Sequence, residues 1–163
     1  MLKNRIARIV GAGAVMILPL AGATALAAGP ATASNGATGI TCSKVVGTIN
    51  LTANTEVIKF KNCTGNTGTL HKGKSTGPVT PIPTSGTIKW SNGLHTTFSQ
   101  STTAGSGCPS PDLTEVLSGT VTADQTGSTA VGAAVSATLC YNPTAGVTPN
   151  LTNESGTSFV IAP

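Results

Sequence analysis

The chain has 163 residues, of which 9% are charged and 3% aromatic, with 20 Gly and 10 Pro. Val, Ile and Thr are abundant and helix formers at helical spacing are scarce past the first thirty residues, which excludes a long-helix protein, a coiled coil and a disordered chain. The formal charge of +4 sits largely at the N-terminus. Lys3, Arg5 and Arg8 supply three of nine basic residues, and beyond them six lysines face five acids, a net +1 with no arginine, so the high pI is no argument for nucleic-acid binding.

Met1 to Arg8 is a basic segment, Ile9 to Ala28 is apolar, and two small-x-small sites follow, Ala25-Leu26-Ala27 and Ala31-Thr32-Ala33. This is the pattern of a secretory signal peptide over residues 1–33, removed after Ala33, with cleavage after Ala27 as the alternative. No Cys directly follows the apolar stretch, so a lipoprotein is not expected. Residues 34–163 then form a secreted, extracellular domain with no membrane span in its mature form. Its roughly 130 residues suffice for one hydrophobic core.

All four cysteines, Cys42, Cys63, Cys108 and Cys140, lie after the leader. An even count in an exported chain reads as two disulfides. A structural zinc site usually needs closely spaced pairs, and there is no C-x-x-C here.

Short β-branched runs alternate with Gly/Pro/Asn/Ser clusters, the all-β pattern. The predicted strands are Thr41–Thr52, Glu56–Asn62, Gly86–Ser91, His95–Gln100, Thr114–Ala123, Ala130–Tyr141 and Thr157–Ala162. Three long loops separate them, at Thr64–Ser85, Ser101–Leu113 and Asn142–Gly156. Seven strands suit a single-domain antiparallel β-sandwich, with a small β-barrel as the alternative.

Alternation assigns faces. The odd residues of Val131 to Tyr141 form the core face of their strand, as do Val45, Ile49 and Leu51 in the first, and Ile58 and Phe60 in the second. Pairing the first two strands around a four-residue loop, Leu51 to Asn54, sets Cys42 opposite Cys63, Val45 opposite Phe60 and Gly47 opposite Ile58. The apolar residues meet on one face and both cysteines fall on the other. This register predicts Cys42–Cys63, which leaves Cys108–Cys140 to tie down the Pro-rich loop. It also sets Lys44 against Lys61, an unfavourable like-charge pair. In Ile88 to Phe98, a three-residue loop with Gly93 in a G1 bulge sets Trp90 opposite Leu94 and Lys89 opposite His95. Ile88, Trp90, Leu94, Thr96 and Phe98 then share a core face, and His95 faces solvent.

Candidate chemistry is sparse. His71 and His95 have no metal-ligand spacing, and no G-x-S-x-G elbow occurs past the leader. No catalytic residue, metal or cofactor is expected. Lys44, Lys59 and Lys61 share the outward face of the first two strands and form a candidate binding surface; an exposed Trp90 or Tyr141 would offer a second, as a sugar-stacking platform.

The leader ending Ala31-Thr32-Ala33, Thr41-Cys42 opening a strand, Asn62-Cys63-Thr64-Gly65 closing the next, Gly86-Thr87-Ile88-Lys89-Trp90, and Val135-Ser136-Ala137-Thr138-Leu139-Cys140-Tyr141 together resemble small exported two-disulfide β proteins of actinobacteria, a group of unknown function. The resemblance implies a bacterial source, export and a β fold, and it brings no catalytic residues. The function expected is a secreted, non-enzymatic structural or interaction module at or outside the cell surface. The alternative is a binding module for carbohydrate or an anionic cell-wall polymer, and a hydrolase ranks third. The expected partner is a cell-wall polymer or a surface protein, not nucleic acid.

Overall fold

The computed structural model describes residues 36–163 except 66–69, 81–82, 143, 145 and 147; the expected signal peptide, residues 1–33, lies outside the described residues. Among the described residues every regular element is a strand: β1 (Ile40–Asn50), β2 (Thr55–Thr64), β3 (Lys72–Gly77), β4 (Ser85–Trp90), β5 (His95–Ala104), β6 (Leu113–Asp124), β7 (Ala134–Tyr141), β8 (Asn150–Asn153) and β9 (Phe159–Ile161). Consecutive strands from β1 to β8 pair antiparallel, and β8 and β9 both pair with β7 and with β1. The sheet therefore closes. β8 meets β1 at Val46 to Thr48 and β9 meets it at Ile40 to Cys42, so the two short strands share the eighth stave of an up-and-down barrel.

The barrel, not the expected sandwich, is the architecture. Two of the long loops conceal the reason. Thr64–Ser85 contains β3, which joins β2 to β4, and Asn142–Gly156 contains β8, which joins β7 to β1. Without them the seven predicted strands leave open edges and no means of closure. β3 reads Lys-Gly-Lys-Ser-Thr-Gly, with no large apolar residue to announce a strand.

Two registers are as expected. β1 and β2 pair Cys42 with Cys63, Val45 with Phe60 and Gly47 with Ile58 around the turn Leu51 to Asn54. β4 and β5 pair Ile88 with Thr96 and Lys89 with His95, and the Trp90 amide donates to the Leu94 carbonyl at 2.9 Å. Gly93 sits at φ +85°, where a Cβ would be strained.

The face assigned to the first disulfide is corrected. Cys42 and Cys63 lie inside, in one core cluster with Val45 and Phe60. Between the two pairs the pleat loses its alternation: Ser43 and Lys44 are both exposed, and Asn62 takes a left-handed φ of 52°. Asn153 covers the irregularity from the eighth stave, accepting from the Val45 amide at 2.9 Å and donating to the Thr157 carbonyl at 2.6 Å. Two residues expected in the core are exposed, Leu51 (53%) and Val131 (59%), because each falls in a turn beyond its strand.

Both disulfides form as expected, Cys42–Cys63 and Cys108–Cys140. The second lies outside the barrel wall, where it holds the β5–β6 loop against β7; Cys140 shares its face with Ser136 and Thr138. Inside, one end of the barrel is filled by Phe60, Trp90, Phe98 and Phe159, whose rings lie 4.6 to 6.4 Å apart. β3 crosses this end at Gly73, opposite both Phe60 and Trp90. A Cβ there would come within 2.8 Å of the Trp90 ring, so Gly is what admits the indole.

Candidate functional site: the lysine face of β1 to β4

The registers bring all six lysines of the described residues onto one outer face. Lys61 of β2 pairs with Lys44 of β1 on one side and with Lys72 of β3 on the other. Lys74 of β3 pairs with Lys59 of β2 and with Lys89 of β4. The result is two rows, Lys44–Lys61–Lys72 and Lys59–Lys74–Lys89. Period-two geometry explains it, since each of β2, β3 and β4 places its lysines out and Phe60, Gly73, Ile88 or Trp90 in. Paired positions lie about 5 Å apart across the strands, and alternate residues about 6.6 Å apart along them.

The three expected site residues, Lys44, Lys59 and Lys61, are brought together. Lys72, Lys74 and Lys89 complete the array, and the sequence reading missed them because β3 was hidden in a loop. The signal was Lys72-Gly73-Lys74, the same alternation as Lys59-Phe60-Lys61.

Like charges directly opposite one another cost stability. Four such pairs stand here. Among the described residues, none of these lysines is joined to a carboxylate. The acids lie elsewhere: Asp112 in the β5–β6 loop, Asp124 at the end of β6, Glu154 between β8 and β9, and Glu56 and Glu115 on the inward-facing alternation of β2 and β6. The outer face of β5 and β6 is uncharged and studded with hydroxyl pairs, Ser99–Thr120 and Ser101–Ser118, each at 3.0 Å. The positive charge is thus one-sided. Five of the six lysines line a groove of about 610 Å³ over β2 to β4, and Thr76 and Thr87 add hydroxyls to it.

The remaining candidates for chemistry disperse. Trp90 is buried, and its indole N–H donates to Thr96 Oγ1 at 2.8 Å, so it offers no sugar-stacking surface. His95 lies beside Lys89 as expected but is half-buried rather than fully solvent-facing. His71 is exposed. Among the described residues, no cluster of His, Cys, Asp or Glu could hold a metal ion.

At the barrel end away from the aromatic cluster, Glu56 and Glu115 take inward-facing positions beside the buried Leu139 and Leu151. Burial, then the nearby Glu115 carboxylate, raise the pKa of Glu56 above 4.5, and the same two causes in the same order raise that of Tyr141 above 10.0. Compared with known proteins, the chain matches no family model, no curated protein and no solved structure.

Proposed function

We propose that this protein is a secreted, non-enzymatic interaction module whose lysine face binds an anionic polymer at or outside the cell surface. The observation that carries this reading is the double row of lysines, paired with one another across four strands on a barrel whose other charges lie elsewhere. A cluster of one sign concentrates counter-ions and holds a polyanion at several points at once. A purely structural barrel has no use for four like-charge pairs, which weaken it. Two disulfides fit an oxidising compartment, and the basic-apolar-small leader supplies the route there. Carbohydrate recognition by aromatic stacking is disfavoured, since Trp90, Phe60, Phe98 and Phe159 are all buried and only the partly exposed Tyr141 remains.

The test is retention on an immobilised sulfated polysaccharide, used as a generic polyanion, over a salt gradient. The wild type is expected to bind at low salt and to elute steeply as salt rises, because each lysine contact releases counter-ions. A variant with Lys59, Lys74 and Lys89 changed to Gln is expected to elute at clearly lower salt while keeping the wild-type melting temperature or exceeding it. Equal retention of the two proteins would refute the assignment.

A further inference from the structure

The arrangement of the lysines says more than their number. Lys59, Lys61, Lys72 and Lys74 are the corners of a rectangle on β2 and β3, because Lys59 pairs with Lys74 and Lys61 with Lys72. Its sides are about 5 Å and about 6.6 Å. Lys44 extends one corner onto β1, and Lys89 extends the opposite corner onto β4. The array is therefore a compact square of charge with two wings on one diagonal. Crossing from β1 to β4, this diagonal is roughly 16 Å long at a strand spacing of about 4.8 Å.

We infer that the partner is a flexible, single-chain polymer of phosphate groups, seated along this diagonal with one phosphate at the central rectangle. This rests on the lysine face being a polyanion site, and it specifies the anion. Arginine is absent beyond Arg8, so the face has no planar guanidinium fork and would meet an anion's charge through ammonium groups alone. It offers ammonium point charges carried on the four corner positions. A tetrahedral oxyanion presents oxygens in several directions and can meet more than one corner together, whereas a carboxylate presents two oxygens in one plane. The groove hydroxyls of Thr76 and Thr87 add neutral contacts to such oxygens. Among the described residues the lysine face carries no exposed aromatic ring, since Phe60 and Trp90 are buried and the partly exposed Tyr141 lies on β7, so a nucleic acid has no stacking advantage there over a plain phosphate polymer. Inorganic polyphosphate and a poly(glycerol phosphate) of wall type share this chemistry.

Titration calorimetry at low salt separates the outcomes. Tripolyphosphate, short enough for the rectangle alone, is expected to bind weakly, and long-chain polyphosphate more tightly. Lys44→Gln and Lys89→Gln are each expected to weaken the long chain about twofold to fivefold and to leave tripolyphosphate unchanged. The double change Lys59→Gln with Lys74→Gln should weaken both ligands. A poly(glycerol phosphate) binding more tightly than polyphosphate at equal charge would identify the wall polymer as the source, and the reverse order the inorganic one. A polygalacturonate of equal charge binding as tightly as either would overturn the phosphate inference while leaving the lysine face a polyanion site. Tighter binding of single-stranded DNA than of either phosphate polymer would also overturn it. Absence of binding to every polymer would instead remove the underlying function.

Discussion

Trp90 shows how one residue joins the core to the polar end of a hairpin. Its indole N–H donates to Thr96 Oγ1 at 2.8 Å, and the Thr96 hydroxyl in turn donates to Asp124 Oδ1 at 2.6 Å. Thr126 gives a second hydroxyl to the same carboxylate, at 2.8 Å to Oδ2. Thr96 is fully buried, so neither the indole nor the threonine can turn to water. A relay of this kind orders β4, β5 and the β6–β7 connection together. Replacing Thr96 with Val keeps the shape and removes the middle of the relay. The indole N–H is then buried without an acceptor, at a cost of about 1–3 kcal/mol. Chemical denaturation followed by tryptophan fluorescence measures this; unchanged stability would show that the relay contributes nothing. Thr96 was legible in the sequence as a core-face residue, because the three-residue hairpin loop fixes its side of the sheet. Its partnership with Asp124 was not, since β6 reaches that residue only through a register shift near Thr97 and Phe98 that no local pattern announces.

At the scale of elements, the legible strands were those with large apolar residues on one face. Phe60, Ile88, Trp90, Phe98, Val135 and Leu139 gave away β2, β4, β5 and β7 by alternation. β3 and β8 stayed hidden because their inward positions are filled by Gly73 or by the single Leu151, and their neighbours supply the bulk. Half of the lysine face went unseen with β3. The cysteine pairing was legible because one register satisfied it, but the inward turn of Cys42 and Cys63 depended on the left-handed Asn62. The second disulfide acts on an element too. Cys108 and Cys140 are 32 residues apart and secure the β5–β6 loop to β7. Changing both to Ser should cost about 3–4 kcal/mol, as expected from the chain entropy of a loop of this length. The barrel wall from β1 to β4 does not depend on this bridge, so polyanion binding should persist below the lowered melting temperature. Thermal melts and binding at 20–25 °C check the two halves of the expectation separately.

Over the whole molecule, the lysines stand outside on β1 to β4, while Glu56 and Glu115 take inward-facing positions of β2 and β6 at the end opposite the aromatic cluster. The inner pair makes stability depend on pH in an unusual direction. Burial and Glu115 raise the pKa of Glu56 in the folded protein above 4.5, its ordinary value in the unfolded chain. Between those two values the folded state holds a proton that the unfolded state has released. Ionising Glu56 therefore costs the folded state more, and its contribution to stability falls as pH rises from 4.5 through the raised value, then stays low. On acidification the cost is relieved over the same window, and nothing more is gained once both states are protonated. Glu56→Gln removes the charge and should raise the melting temperature at pH 7, with the gain shrinking as pH falls toward 4.5. Tyr141 acts in the alkaline range for the same reason: its raised pKa means that stability is lost as pH climbs beyond 10.0. Melting curves of wild type and Glu56→Gln from pH 4 to pH 8 decide the first point. The two curves should converge at the acid end and separate near neutrality, and a constant offset across the range would show that the substitution acts through packing and not through the carboxylate charge.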